Sequence, residues 1–317
     1  MLVLLKSMAL ENYRPNWNSM RGKILAVRKR STISGVKMEN SKVLLLGASG
    51  RLGLMMQAFW PEKGTLVCHS RSNRPGYVTF DPLSDVDLLG GAMSGARAVI
   101  CLSGITPAHA AASGDALTLN AELALATVRA ADRAGGVRVF LASSAAVYGA
   151  AEGPLSEDMI CNPVSEYGRA KLEMEKVALA SAKARNLPVT VLRIGNVAGA
   201  DAILGGWHNR MAIDVLPGGG TPRRSYIGPQ TLTRVLYQLC QAESLPDVVN
   251  IAAPGMVEMG ALLDAAGLAW SQKPATGATI AQVELSTKRI EKEFDFAPNA
   301  GTPTGLVAQW RAYQDLK

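Results

Sequence analysis

Two patterns of hydrophobic residues alternate along the chain from Ser41 onward. Short runs rich in Val, Ile and Leu, such as "KVLLLG" at 42–47, are typical of strands that are buried on both faces. Longer alanine-rich stretches lie between them, clearest at 115–135 and 165–186, and their apolar positions recur with helical spacing. The runs predict strands at 42–47, 65–70, 77–80, 96–103, 137–144, 188–194 and 248–253.

Strands that alternate with helices in this way predict an α/β fold, a doubly wound parallel Rossmann sheet with a small C-terminal lobe. We expect residues 38–195 to form the Rossmann domain. After Gly199 the pattern loosens into Gly- and Pro-rich loops, so residues 196–317 are expected to form a mixed region. This region would hold a substrate lobe over the carboxyl ends of the strands, where such sheets bind ligands, and the last sheet strand at about 248–253.

Residues 1–37 differ from the rest of the chain in charge and pattern. They carry eight basic side chains and one acidic one, whereas residues 38–317 carry 25 of each, so the net charge of +7 comes from this segment. A neutral body has no general basic face for nucleic acid, and we expect no such partner. We interpret residues 1–37 as a flexible basic extension, or as residues added because the start codon was assigned upstream of the true one at Met38. A targeting segment is the third interpretation.

Composition excludes several other classes of protein. No apolar run reaches the roughly 18 residues of a membrane span, so no membrane partner is expected. The four cysteines form no CxxC pair, which indicates a reducing cytoplasm and buried thiols. The three histidines lack the spacing of a metal site, so we predict structural or surface roles for them and no metal.

A glycine-rich loop follows the first predicted strand. The segment "LLLGASGRLG" places Gly47, Gly50 and Gly53 between this strand and the next helix. Glycine permits the unusual dihedral angles of a tight turn, close approach to a pyrophosphate and packing of helix on strand. A tight turn without a ligand is the competing interpretation, but the position in the first βα unit favours dinucleotide binding. The contacts predicted in this loop are Gly47, Ser49, Gly50, Arg51, Leu52 and Gly53.

The end of the second predicted strand, "CHSRSNR", bears on the choice of dinucleotide. It lacks the carboxylate that would accept a hydrogen bond from the ribose of NAD, but it carries Arg71 and Arg74, and an arginine there could pair with the 2′-phosphate of NADP. We therefore predict NADP with Arg71 as the contact; NAD is the alternative cofactor, and two solvated loop arginines are the competing interpretation. Asp81 is expected at the adenine ring, although a turn-forming Asp before Pro82 also fits. The end of the fourth strand adds the predicted contacts Leu102, Ser103 and Gly104.

A tyrosine and a lysine four residues apart, Tyr167 and Lys171, open the predicted helix at 165–186. They share a helix face, so the ammonium could stabilise a phenolate and bring the phenol pKa toward the neutral range. The spacing is common, and Tyr313 with Lys317 repeats it without a serine at a strand end. A pair of serines ends the fifth predicted strand at the same sheet edge as the glycine loop. The Tyr167 pair therefore predicts an active site in which a serine hydroxyl binds the reacting oxygen.

Several motifs together carry a resemblance to a known family: "GASGRLG", "SSAAVYG", "YGRAK", "LRIGNVAG", "RRSYIG" and "NIAAPG". Over about residues 41–317 the chain resembles the extended short-chain dehydrogenase/reductase family, of the NAD-dependent epimerase/dehydratase type. The resemblance implies that Ser144, and not Ser143, is the catalytic serine. It implies that Tyr167 is the general acid/base and that Lys171 modulates it and binds the nicotinamide ribose. Asn120 would contact the cofactor.

The same resemblance implies contacts to the substrate. Beside Ser144, these are Tyr148 and Asn196, with Arg193 leading into the substrate lobe. Arg224 matches an arginine that meets the substrate phosphate in sugar-nucleotide enzymes. A plain loop arginine is the alternative, because the family's following Ile-His-Val and Asp are replaced by "IGPQT" at 227–231.

These observations predict an NAD(P)-dependent oxidoreductase or epimerase that acts on a sugar, sugar nucleotide or similar small molecule with a carbonyl or hydroxyl group. Ala145 and Ala146 stand where a dehydratase would carry Asp-Glu, which speaks against dehydration. Arg71 favours NADP and therefore a reductase over a 4-epimerase. A catalytically silent NADP-binding regulator or interaction protein is the alternative, although a complete Ser-Tyr-Lys set argues against it. A homodimer is left open.

Overall fold

The computed structural model of the chain describes residues 41–317, so the predicted extension at 1–37 lies outside the described residues. Its strands are β1 (Val43–Leu46), β2 (Leu66–Ser70), β3 (Val78–Thr79), β4 (Ala98–Cys101), β5 (Arg138–Ser144), β6 (Pro154–Leu155), β7 (Val189–Ile194), β8 (Asn196–Val197), β9 (Ala212–Val215), β10 (Arg223–Arg224), β11 (Tyr226–Ile227), β12 (Val248–Ile251), β13 (Val257–Glu258), β14 (Ser271–Pro274) and β15 (Gln282–Leu285). Its helices are α1 (Arg51–Phe59), α2 (Val86–Met93), α3 (Pro107–Ser113), α4 (Leu119–Arg133), α5 (Glu166–Lys183), α6 (Pro229–Gln241), α7 (Met259–Ala266) and α8 (Pro303–Gln314).

Seven parallel strands form the central sheet, in the order β12-β7-β5-β4-β1-β2-β3. The order reverses at β1, whose Leu44 lies in register with Val67 on one side and Val99 on the other. Such a reversal opens a crevice at the carboxyl ends of β1 and β4, because the connections leave on opposite faces. The predicted α/β, doubly wound Rossmann fold is confirmed.

The predicted strands all occur in this sheet, with ends within two residues of the expected positions. The two clearest predicted helices are slightly shorter, as α4 and α5. Helix α5 begins at Glu166 because the Ser165 hydroxyl accepts a hydrogen bond from the N–H of Gly168 at 3.0 Å. The short helix α3, in the connection after β4, was not expected from the pattern.

Side chains of β1 alternate between two cores. Val43 and Leu45 pack in the core that includes α1 and α6, and Leu44 and Leu46 pack in the core that includes α2, α4 and α5. Both faces of the strand are therefore buried, which explains its unbroken hydrophobic run.

The region after β7 is built differently. Apart from β12, its strands form the sheet β13-β10-β15-β6, to which β6 comes from earlier in the chain, and the pairs β11-β8 and β14-β9; here the sequence suggested loops and short helices. These strands have only two to four residues and include polar positions, so they show neither a period nor a continuous apolar run. A third core lies here, with Trp207, Trp270 and Trp310 packed against it. The division at residue 195 stays a prediction. Within residues 41–317, no helix combines the length and the apolar character that crossing a bilayer requires.

Candidate active site

The carboxyl ends of three neighbouring strands meet at one edge of the central sheet. The chain leaves β1 into Gly47 and leaves β4 into Leu102, and β5 ends at Ser144. The two loops are joined, since the N–H of Leu102 donates to the carbonyl of Leu46 at 2.9 Å. The glycine loop and the serine therefore open on the same crevice.

Close backbone contacts require glycine in the loop after β1. Gly47 has a φ of +79°, and a Cβ there would lie 2.6 Å from the nitrogen of Ser103. A Cβ at Gly53 would lie 2.5 Å from the Cα and carbonyl oxygen of Ala48, so α1 packs directly on the loop. Gly50 caps α1 without a side-chain hydrogen bond, which leaves this helix end suited to a pyrophosphate.

A cavity of about 270 Å³ opens between the glycine loop and the ends of β2 and β4. Eight predicted cofactor contacts line it: Gly47, Ser49, Gly50, Arg71, Asp81, Leu102, Ser103 and Gly104. Other predicted contacts lie on helices beside it, with Arg51, Leu52 and Gly53 on α1, Asn120 on α4, and Tyr167 and Lys171 on α5. These residues fit a dinucleotide, with glycine backbone for the pyrophosphate and a cavity for the adenosine.

Two polar residues of this lining, Arg71 and Asp81, are predicted to contact the dinucleotide, and Arg71 bears on the choice between NADP and NAD. Arg71 is exposed after β2 and forms no ion pair with any residue of 41–317. Asp81 forms a turn, because its carboxylate accepts a hydrogen bond from the N–H of Leu83 at 2.9 Å. Asp81 thus forms a turn and also lines the cavity, so its interpretation as a turn residue is compatible with a contact to the adenine ring.

His69 also lines this cavity and was not expected there. Its side chain is buried against Phe80, with Nε2 at 2.8 Å from the Phe80 carbonyl oxygen. Burial lowers the pKa of His69, so the ring is neutral and Nε2 donates that hydrogen bond.

The predicted catalytic residues come together where α5 crosses the end of β5. Tyr167 lies in the first turn of α5 and Lys171 in the next, with the Lys171 Nζ 6.0 Å from the centre of the Tyr167 ring. Nζ donates to the carbonyl of Ala142 on β5 at 2.9 Å. A Cβ at Gly104 would lie 3.2 Å from Nζ, so the loop after β4 also reaches this point. Ser144 is close enough to affect the Tyr167 phenol.

Burial dominates the electrostatics of this group. It lowers the pKa of Lys171 to about 8, although Cys101 and Glu175 favour the charged form. It raises the pKa of Tyr167, and Ser144 offsets part of this rise. We expected the Lys171 ammonium to lower the phenol pKa, but in the structure burial raises it and the group that opposes this rise is Ser144.

Tyr148 is placed differently from the expectation. Only 1% of its surface is exposed, its hydroxyl donates to Asn250 Oδ1 at 2.7 Å, and Arg193 Nη1 donates to it at 3.0 Å. Burial raises the pKa of Tyr148 to about 12. Arg193 is likewise buried: its guanidinium pairs with Glu175 at 2.8 Å and donates to the carbonyl of Glu157 at 3.2 Å.

Asn120 supports the loop after β4 through all of its polar atoms. Its Oδ1 accepts from the N–H of Ile105 at 3.1 Å, and its Nδ2 donates to the carbonyls of Ile105 and Leu117 at 3.0 and 2.9 Å. A Cβ at Gly104 would lie 2.6 Å from Oδ1. Asn120 thus shapes the cavity through Gly104, and its predicted contact with the cofactor stays a prediction.

The two remaining predicted substrate contacts lie in the small strands. Asn196 is half-buried on β8, and its N–H donates to the carbonyl of Ser225 at 3.0 Å. Arg224 is half-buried on β10, where its guanidinium donates to the carbonyls of Arg223 and Ile280 at 2.8 and 2.9 Å. Both stay predictions.

Comparison with known proteins decides the family. The model of the NAD dependent epimerase/dehydratase family matches residues 43–252, which run from β1 to β12 and include every strand of the central sheet. The chain belongs to this family. The resemblance drawn from the motifs is therefore confirmed.

Within the epimerase/dehydratase family, curated relatives match short stretches. UDP-glucose 4-epimerases from Azospirillum brasilense and Lactobacillus helveticus are each 44% identical, over 70 and 61 residues. These stretches cover 22% and 19% of this chain, but only 20% and 18% of the two relatives.

Solved structures share the fold over most of the chain. TunA, an NAD dependent NDP-hexosamine 5,6-dehydratase of tunicamycin biosynthesis, has a TM-score of 0.72 at 17% identity, over 87% of this chain and 98% of that one. MoeE5 in complex with UDP-glucuronic acid and NAD has a TM-score of 0.69 at 24% identity, over 87% and 100%. The UDP-glucuronic acid 4-epimerase of Bacillus cereus has a TM-score of 0.70 at 18% identity, over 87% and 100%.

One buried polar cluster of the protein was not predicted from the sequence. Glu175, on α5, contacts Arg193 and accepts a hydrogen bond from the Ser143 hydroxyl. The signal was present, because Glu175 stands four residues after Lys171 and so continues the face that starts at Tyr167.

Proposed function

We propose that the chain is an enzyme that binds a nicotinamide dinucleotide and transfers hydride between it and a carbon of a sugar nucleotide. The observation that carries this proposal is the meeting of Ser144, Tyr167 and Lys171 at the sheet edge that also holds the glycine-loop cavity. Support for the substrate class comes from MoeE5 and the Bacillus cereus epimerase, which bind UDP-glucuronic acid and NAD.

Each side chain has a distinct role in this proposal. The dinucleotide, when bound, supplies or accepts the hydride. The Tyr167 hydroxyl gives a proton to the substrate oxygen or takes one from it, and the Ser144 hydroxyl donates a hydrogen bond to the same oxygen. The Lys171 ammonium binds a ribose hydroxyl and stabilises the Tyr167 phenolate. Lys171 is buried and Tyr167 is half-buried, and the limited access of water at Lys171 strengthens its interactions.

For the cofactor we propose NADP, because Arg71 lines the cavity and no carboxylate follows β2. The family relatives above hold NAD, so the preference must be measured directly. We expect NADPH to bind more tightly than NADH in fluorescence titrations. Arg71→Ala should lose about tenfold or more in NADPH affinity while it leaves NADH affinity unchanged.

Arg74→Ala is the matched control, since Arg74 is exposed in the same loop but does not line the cavity. It should keep the preference for NADPH. Equal binding of the two dinucleotides by the native protein would reject NADP as the cofactor.

Net reduction is the reaction that we favour over epimerisation. Ala145 and Ala146 form the turn after Ser144 and have no acid/base group, which disfavours dehydration. The test is a screen of sugar nucleotides with NADPH and NADH, in which absorbance reports net reduction and sugar analysis of the product reports epimerisation. Dinucleotide binding without turnover of any sugar nucleotide would contradict this proposal and favour a regulator.

A further inference from the structure

A buried polar cluster lies directly behind the candidate active site. We call Ser143, Glu175, Arg193, Tyr148 and Asn250 the buried network. Glu175 is 2% exposed and Arg193 is 6% exposed. The Ser143 hydroxyl donates to Glu175 Oε1, and Arg193 Nη2 lies 2.8 Å from Glu175 Oε2. Arg193 continues through Tyr148 to Asn250 on β12.

The position of Glu175 connects this network to the site. Glu175 lies one helical turn after Lys171, and Lys171 lies one turn after Tyr167. Lys171 donates to Ala142 of β5, and Glu175 accepts from the next residue, Ser143. Two consecutive turns of α5 are therefore hydrogen-bonded to two consecutive residues of β5, and the next residue of the strand is Ser144.

Stability alone does not account for a buried ion pair at this place. Removing two charges from water costs free energy that their attraction seldom exceeds, and well-packed apolar residues stabilise a protein equally well. Burial works against the charge of Arg193, but the hydrogen bonds and charge of Glu175 raise its pKa above the ordinary value. Arg193 is thus charged, and its partner Glu175 stands one helical turn after Lys171.

Four elements supply the groups around the Lys171 Nζ. They are the Ala142 carbonyl on β5, the Cys101 thiol at the end of β4, the Asn120 amide on α4 and, on α5 itself, the Tyr167 phenol, the Met174 Sδ and Glu175. Of these only Glu175 is a carboxylate, and its interaction with Lys171 favours the ammonium form against burial. Arg193 lies behind Glu175 and holds its carboxylate in place.

We propose that Glu175 is a positioning residue of the site: it fixes α5 against β5 through Ser143 and Arg193, and it supplies the negative charge beside Lys171. This inference rests on the proposed function for its consequence, because a site that uses the Lys171 ammonium needs that charge at neutral pH. The contacts of Glu175 and its effect on the charge of Lys171 are properties of the protein without any ligand.

The test is an NMR titration of the Lys171 side chain in protein labelled with ¹³C-lysine, with the signal assigned by Lys171→Arg. We expect Glu175→Gln to move the midpoint of Lys171 to lower pH. Glu173→Gln, which removes the same charge from an exposed position of α5, should leave it in place. Glu157→Gln, a buried carboxylate bonded to the N–H of Asn250, should lower stability but also leave the midpoint in place.

Glu175→Gln leaves the Arg193 charge buried without its partner and could fail to fold. The double variant Glu175→Gln with Arg193→Met removes both charges and keeps the test open. It should fold and still titrate at lower pH than the native protein. A Lys171 midpoint equal to the native value in either folded variant would overturn the proposal.

The test of Glu175 is independent of the test of the proposed function. The titration uses no dinucleotide, so a native protein that binds neither NADPH nor NADH would reject the proposed function while the Lys171 midpoints still decide the role of Glu175. In a protein that does bind, dinucleotide affinity measured against pH should decline at lower pH in Glu175→Gln than in the native chain.

Discussion

The chain contains the same tyrosine–lysine spacing in two regions. Comparison of the two regions shows that this spacing alone does not identify a catalytic pair. Lys317 Nζ lies 4.7 Å from the ring centre of Tyr313, closer than the 6.0 Å between Lys171 and Tyr167. Tyr313 is 6% exposed and its ring packs 6.3 Å from that of Phe59, as an ordinary core aromatic residue.

What separates the two regions is their surroundings. Lys171 is buried and bonded to β5, whereas Lys317 is exposed. The phenol of Tyr167 has Ser144 beside it, and the crevice of the glycine loop opens at the same sheet edge. Burial raises the pKa of both tyrosines, so a shifted phenol alone does not mark a catalytic group either.

The largest expected difference between the regions is in turnover. Tyr167→Phe should lower kcat by about 10²- to 10⁴-fold with the best sugar nucleotide, because the proton donor to the substrate oxygen is lost. Tyr313→Phe makes the same change in the second region and should keep native turnover. The measurement is NADPH absorbance for net reduction, or product analysis for epimerisation. Equal turnover by Tyr167→Phe and the native enzyme would remove the basis of the comparison.

A second prediction concerns the glycine loop, which only the Tyr167 region has beside it. Gly53→Ala should destabilise the fold by about 1–3 kcal/mol, because the new methyl group would meet the backbone of Ala48. It should also weaken dinucleotide binding. Urea unfolding and dinucleotide titration measure the two effects.

The control for this prediction is Gly91→Ala on α2, where a Cβ would meet no atom within 4 Å. There the substitution should stabilise by up to about 1 kcal/mol, because glycine loses more entropy in a helix than alanine does. If both variants behaved alike, the tight contact at Gly53 would have no energetic consequence.

The smallest expected effect separates the two lysines. Lys171→Met should weaken dinucleotide binding by about tenfold at pH 7, because a charged hydrogen bond to the ribose is lost. Since burial lowers the pKa of Lys171 to about 8, native binding should decline as the pH rises through that value, where Lys171 loses its charge. This decline should be absent in Lys171→Met.

Lys317→Met is the corresponding variant in the second region, and it should bind dinucleotide with native affinity and native pH dependence. Unchanged binding by Lys171→Met would show that the ammonium does not contact the dinucleotide.

The central sheet and the glycine loop that lines the cavity could be predicted from the sequence for a common reason. Strands buried on both faces, such as β1, leave continuous apolar runs, and glycines such as Gly47 and Gly53 stand where the backbone leaves no space for a Cβ. Both signals stand in short continuous segments of the sequence, although the atoms that exclude a Cβ at Gly47 belong to Leu102 and Ser103. The small strands after β7, of two to four residues, escaped prediction because their pairing is determined by partners far along the chain.

Sequence by itself determined the α/β class, the strand positions, the family and the candidate residues Ser144, Tyr167 and Lys171. Only the tertiary structure decided that Tyr148 is buried and that Glu175 stands behind Lys171 with Arg193 as its partner. The physical reason is that burial and ion pairing depend on residues brought together from α5, β5, β7 and β12. Local patterns specify which element a residue occupies, whereas its charge and contacts are set by the elements that pack against it.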